Sequence, residues 1–175
     1  MKNEVNKIAK DTNYFLKKFI NNQNSSHLIN AMKYALFPGG KKIRSKILID
    51  IGSLFTISYK TLIQIGAAVE CIHAYSLIHD DLPCMDNDKI RRGKASTHIK
   101  FGESTAVLAG NSLLTLAFEM IADSNYLIDN KLKIELIRSQ DTNFLTINKK
   151  VLNELAILVK NEGLKYEMYI ETRPE

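Results

Sequence analysis

Apolar side chains recur at helical spacing from the start of the chain. Val5, Ile8, Ala9, Phe15, Leu16 and Phe19 predict an amphipathic helix over residues 4–21, and Leu28, Ile29, Met32, Ala35 and Leu36 predict a second over 25–37. The run Pro38-Gly39-Gly40 breaks the period, and Ile43, Ile47, Leu48 and Ile51 resume it, so a third helix is expected to start just after this turn. Residues 61–79 are apolar almost all round, the signature of a helix buried on most sides and therefore central. Pro83 ends it, a polar loop runs on to Gly102, and residues 104–122 form another strongly apolar helix. No segment before residue 122 alternates with turn chemistry as a strand would. The expectation for residues 1–140 is an all-α assembly without repeats. From residue 141 the character changes. Residues 147–160 suit a short amphipathic helix ending near Gly163, whereas Tyr166, Met168 and Ile170 alternate with Glu167, Tyr169 and Glu171 in a strand-like way. Residues 141–175 are therefore set apart as a tail.

Composition narrows the class. The 175 residues suit one compact domain, and 45% hydrophobic with 25% charged residues is ordinary globular usage, which excludes disorder and collagen-like chains. Cys71 and Cys84 stand in no CxxC or knuckle spacing, so a reducing compartment is expected. The first residues lack a signal-peptide core, and no run reaches the roughly 18 uncharged apolar residues of a membrane span, so a cytoplasmic protein without membrane insertion is expected. The net charge of +5 comes mostly from scattered lysines. Arginine is sparse, tryptophan absent and no aromatic-basic interleaving is visible, which argues against a nucleic-acid partner.

Chemistry concentrates at the end of the central helix. Glu70, His73, Ser76 and Asp80 follow one another at steps of three, three and four, which aligns them on one face of an otherwise apolar helix. Such a stripe is costly unless it meets water, a ligand or partner groups. It therefore reads as the lining of a cavity, with internally satisfied core polars as the alternative. Asp80, Asp81, Asp86 and Asp88 then crowd together within nine residues. Hard oxygen donors at a helix C-terminus suit Mg²⁺ bridging to phosphate better than zinc. Arg91 and Arg92 follow directly, and guanidinium forks beside such acids imply a polyphosphate held from both sides.

A second cationic group lies upstream in FPGGKKIR. Two glycines let the backbone bend, and Lys41 and Arg44 stand three apart at the start of a helix, whose N-terminus already favours anions. The run is not a Walker loop, GxxxxGK[ST]. The combined reading is two phosphate sites, one with metal and one without.

The blocks GGKKIR, AVECIHAYSLIHDDLPCMDNDKIRRGKASTHIKFGE and AVLAGNSLLTLAF resemble the bacterial short-chain trans-prenyl diphosphate synthases of the farnesyl diphosphate synthase (geranyltranstransferase) type. The resemblance is strong over residues 30–122 and looser over 1–29 and 123–140. It implies the N-terminal half of the all-α isoprenoid (polyprenyl) synthase bundle, commonly a homodimer when complete. It also implies Mg²⁺-dependent prenyl transfer, condensing isopentenyl diphosphate with dimethylallyl or geranyl diphosphate. DDLPCMD is similar to the family's first aspartate-rich motif. Asp80, Asp81 and Asp86 would thus bind the metal holding the allylic diphosphate, and Arg91 would clamp that diphosphate, so Asp80, Asp81 and Arg91 carry the catalytic expectation. Lys41, Arg44, His73 and Arg92 match the positions that hold isopentenyl diphosphate without metal. Tyr75, five residues before Asp80, would lie about 7.5 Å deeper along the helix and floor the pocket at farnesyl length.

The chain also departs from that pattern. Lys42 and Ser45 stand where Arg and Pro are customary, Asn87 interrupts the acids, and Asn111 replaces the aspartate of the AGD block. No DDxxD occurs beyond Asp88, and the segment after IELIRS does not match the family. The expectation is a truncated product, from a frameshifted, decaying or split gene, with little or no activity alone. Two rival readings stand beside this one. An HD-type phosphohydrolase would use His73, His79 and Asp80 but gives GGKKIR no role. A non-catalytic partner subunit would pair with another prenyl synthase through residues 104–122.

Overall fold

The computed structural model describes residues 2–21, 26–37, 40–54, 57–123 and 130–141. Seven helices appear among them: α1 (Lys2–Asn21), α2 (His27–Leu36), α3 (Ile43–Leu54), α4 (Tyr59–Asp80), α5 (Thr97–Phe101), α6 (Glu103–Ala122) and α7 (Asn130–Asp141). Between α4 and α5 lies a two-residue ribbon, β1 (Ile90–Arg91) and β2 (Lys94–Ala95), paired antiparallel. The polar loop expected over this stretch thus contains a hairpin and a short helix. Its turn residues Arg92 and Gly93 both hold positive φ, 53° and 75°, the arrangement of a type I′ hairpin turn. That turn normally announces itself as Asn-Gly or Asp-Gly. Arg-Gly hides the signal.

The chain divides into two compact units, residues 1–133 and 134–175. In the first, α4 is the axis and packs against α1, α2, α3 and α6. Its placement follows from composition, since thirteen of its residues are buried and they face every direction around the helix. Ser58 starts it, accepting a hydrogen bond from the Thr61 backbone N–H at 3.2 Å. Ile8 of α1, Ile49 of α3 and Leu62 and Ile63 of α4 form one buried cluster, flanked by Phe15, Leu48 and Ile57. Each such side chain contributes roughly 1.5–3 kcal/mol by leaving water. In the second unit the described residues are the last turns of α7, and the strand-like pattern at 166–171 lies outside the described residues.

Both α4 and α6 are long and apolar enough to cross a membrane, which the sequence expectation of no span-length stretch did not allow for. For α4 the apolarity has another use. Its most apolar window is 72% buried within the protein, against 44% for α6.

Two contacts set how closely the neighbours approach α4. Gly66 faces Ser45 of α3, and a Cβ there would lie 3.1 Å from the Ser45 Cβ and 3.3 Å from its Cα. Gly110 of α6 faces the His79 imidazole so closely that any side chain would overlap the ring. The His79 Nε2 also lies 3.2 Å from the Val107 carbonyl, and Gln64 donates to the Met120 carbonyl, which ties α4 to α6 at both ends.

Candidate active site

The polar stripe of α4 divides into unlike parts. Glu70 is buried and lies 3.4 Å from the equally buried Lys42 ammonium. Ser76 donates to the His73 carbonyl within its own helix at 3.0 Å. Glu70 is thus a satisfied core polar and Ser76 is satisfied within its own helix, while Ser76, His73 and Asp80 are all partly exposed.

Around His73 the structure gathers cations. Arg44, one residue into α3, brings Nη1 to 3.3 Å from the His73 Nε2. A guanidinium only donates, so Nε2 accepts and the ring is neutral, with its proton on Nδ1. The surroundings enforce that state: burial first, then Arg44, Arg92, Lys42 and Arg91, push His73 down from 6.5 to about 4. Arg92 reaches the same place from the hairpin, its guanidinium carbon 3.8 Å from where a Cβ on Gly40 would stand. The turn conformation that aims it there is left-handed, φ 53°, a region a bulky non-glycine residue enters rarely. Lys41 is exposed on the loop between Gly40 and α3. No carboxylate among the described residues pairs with Arg44 or Arg92. Of the expected metal-free anion ligands, Arg44, His73 and Arg92 come together, with Lys41 next to them in the chain.

The acidic end is arranged differently. Asp81 closes α4 as its C-cap and is buried, and both its carboxylate oxygens accept from the Arg91 Nε at 2.8 Å. Arg91 is therefore tied to an acid of the cluster, and its Nη2 also lies 3.5 Å from Asp88. This bidentate pairing, ahead of other causes, raises the Arg91 pKa. Asp80 is left facing Asp86. The Asp86 backbone N–H donates to the Asp80 carbonyl at 2.9 Å, folding the chain back on itself, and Asn87 completes the bend at φ 53°. Burial first and the Asp86 charge second raise the Asp80 carboxyl above its ordinary value. Among the described residues no three carboxylate, imidazole or thiol groups converge tightly enough to hold a metal by themselves. Tyr75 stands one turn below His79, rings edge-on at 4.6 Å, on the flank of α4 turned to α6.

Three comparisons bear on what this arrangement is. Residues 25–157 match the Polyprenyl synthetase family. The chain belongs to the polyprenyl synthetase family. Among polyprenyl synthetase relatives, it is 54% identical over 99 residues to the farnesyl diphosphate synthase of Buchnera aphidicola subsp. Acyrthosiphon pisum, a match covering 57% of this chain and 35% of that protein. It is 47% identical over 120 residues to the farnesyl diphosphate synthase of Escherichia coli, covering 67% of this chain and 40% of the other. The fold is that of an FPP/GFPP synthase from Zymomonas mobilis, with a TM-score of 0.77 at 33% identity, over 95% of this chain and 60% of that one. The chain thus spans well under half the length of the curated relatives it matches, and the matched region runs past residue 140 to 157.

Sequence reasoning passed over Lys42, Glu70 and Ser45 as a unit, and over the Asp81–Arg91 pairing. A signal for the first existed. An acid in the middle of an apolar helix demands a buried cation, and one of the two adjacent lysines had to supply it.

Proposed function

We propose that this chain carries the diphosphate-binding half of a prenyl transferase, acting on isopentenyl diphosphate and an allylic partner, dimethylallyl or geranyl diphosphate, toward farnesyl diphosphate. The observation that carries this reading is the group of guanidiniums around a neutral His73, and beside it the Asp80–Asp86 pair, neither group making an ion pair with an opposite charge among the described residues. Arg44, His73, Arg92 and the neighbouring Lys41 would hold the isopentenyl diphosphate. His73 fits that duty because a neutral imidazole donates through Nδ1 without repelling the arginines.

Asp80 and Asp86 fit Mg²⁺. Burial first and the Asp86 charge second raise the Asp80 carboxyl, and Mg²⁺ commonly takes one or two protein carboxylates and completes its shell with phosphate oxygens and water. When bound, it would neutralise charge on the departing diphosphate of the allylic substrate. Asp81 supports the same end by holding the Arg91 fork in place, from which Arg91 can grip that diphosphate. Tyr75, on the flank toward α6, would limit product length. Replacing the tyrosine at this position by alanine in a full-length relative is expected to lengthen the product, read by chromatography of the released alcohols.

Calorimetry on the 175-residue chain tests the reading. Geranyl diphosphate should bind only with Mg²⁺ present, and isopentenyl diphosphate should bind with or without it. Metal-independent binding of geranyl diphosphate, or no binding of either, would falsify the assignment. Turnover by this chain alone is expected to be slight, because its 175 residues hold one aspartate-rich motif and no DDxxD beyond Asp88. We place the protein in the cytoplasm, where these substrates are water-soluble diphosphates.

A further inference from the structure

We infer that the buried unit Lys42–Glu70–Ser45 is a positioning device that fixes the start of α3 onto α4 and so aligns Arg44 with His73. The inference rests on the reading of that cation group as a diphosphate site. Lys42 occupies the N-cap of α3, since its carbonyl accepts the first intrahelical bond, from the Lys46 N–H at 3.0 Å. An ammonium accepts nothing, so Lys42 leaves its own helix uncapped. Glu70 supplies the missing acceptor from the neighbouring helix: its Oε1 lies 3.4 Å from the Ser45 backbone N–H, an otherwise orphaned donor of the first turn. Its Oε2 faces the Lys42 ammonium at 3.4 Å. The carboxylate thereby meets both the helix N-terminus and a cation. The Ser45 hydroxyl has one proton, which serves the Gly66 carbonyl at 2.9 Å and leaves its 3.4 Å approach to Glu70 secondary.

The consequence is an alternation along five residues. Lys42 and Ser45 turn inward and are buried, at 4% and 0% exposure, while Lys41, Ile43 and Arg44 turn outward. Lys42 holds φ 49°, a left-handed conformation that swings its side chain in and leaves its neighbours out. Glu70 is one turn before His73 on α4, so the residue that grips α3 and the residue that meets Arg44 share one rigid face. None of Lys42, Glu70 or Ser45 reaches the rim, so they act through Arg44 and not on a ligand.

The test uses the full chain, inorganic pyrophosphate without metal, and NMR titration of the His73 ring. Glu70→Gln keeps the shape but removes the charge. If the inference holds, this variant binds pyrophosphate at least about tenfold more weakly and the His73 titration moves up from about 4, because Arg44 no longer stands against the ring, while burial, the larger cause, remains. Lys42→Arg, which keeps the charge, retains binding within about threefold, at most about half of the 1.4 kcal/mol that a tenfold change represents. Should Glu70→Gln fail to fold, Ser45→Ala removes the hydroxyl's bond to Gly66 and its secondary approach to Glu70 and is expected to shift the His73 titration in the same direction. An unchanged affinity and an unchanged His73 titration in a folded variant would overturn the inference. If the parent chain binds no pyrophosphate, the anion-site reading fails. The His73 titration, which needs no ligand, then decides the positioning role by itself.

Discussion

The two ends of the α4 rim solve opposite electrostatic problems. At the upstream end, cations from α3 and the hairpin crowd a single imidazole, and a buried ion pair beneath them keeps the geometry fixed. At the downstream end, acids crowd one another, and one of them has already taken up an arginine. The cationic end cannot relieve its charge by titration, because guanidiniums keep their protons, and His73 is kept neutral by burial first and by the surrounding cations second. The acidic end can relieve its charge by taking up a proton at Asp80, whose carboxyl is raised by burial first and by Asp86 second. On the proposed reading, the first suits an anion, and the second a divalent cation that brings an anion with it.

The hardest way to break this contrast is at the acids. Asp80→Ala combined with Asp86→Ala should weaken Mg²⁺-dependent binding of geranyl diphosphate by about a hundredfold or more, while metal-free pyrophosphate binding stays as it was. Calorimetry with and without Mg²⁺ separates the two. Loss of both together would mean that the ends are not independent.

Arg91→Ala is expected to act on stability as well as on binding. It strands the Asp81 carboxylate, which is 3% exposed. Breaking a buried pair costs about 3–5 kcal/mol, and the partial exposure of Arg91 lowers the expectation to about 1–3 kcal/mol. Urea denaturation measures it, and a change below a few tenths would show that Asp81 finds water or another donor.

At the cationic end, Arg44→Ala removes one charge-assisted donor, worth about 1.5–3 kcal/mol. Metal-free pyrophosphate binding should fall by about tenfold or more, with Mg²⁺-dependent geranyl diphosphate binding little changed.

The smallest effect is a pH dependence. Folding lowers His73 from 6.5 to about 4, so the unfolded chain takes up the proton first as pH falls. The stability this ring contributes is complete above pH 6.5 and is lost progressively toward pH 4. The melting temperature should therefore fall less steeply across that window in His73→Gln than in the parent chain, and equal slopes would show that the ring is not held neutral.

How far these features were legible varies residue by residue. Helices α1 to α4 and α6 follow from period, because α4 and α6 are apolar enough to leave no other placement, whereas α5 lies in the stretch expected to be a polar loop. Arg44, His73 and Arg92 stood out through motif resemblance, and the geometry adds that the two arginines meet around the one ring. The hairpin at 90–95 was not legible. Its type I′ turn is made by Arg92-Gly93, and only the tertiary need to bring Arg92 over Gly40 explains a left-handed arginine there. Nor could spacing tell that Asp81 and Asp80, neighbours in the chain, face different partners. On a helix, adjacent residues point about 100° apart, which sends one carboxylate to Arg91 and leaves the other to Asp86.

By itself the sequence determined the all-helical class, the central helix and the family, since each rests on local period or on ordered blocks of residues. Tertiary structure alone decided which charges cancel. Lys42 and Lys41 are identical in composition and adjacent in sequence, yet one is buried against Glu70 and the other is exposed on the rim. The reason is that charge pairing depends on distance and burial, which are set by how α3 and the hairpin close on α4 and are written in no stretch of the chain read alone.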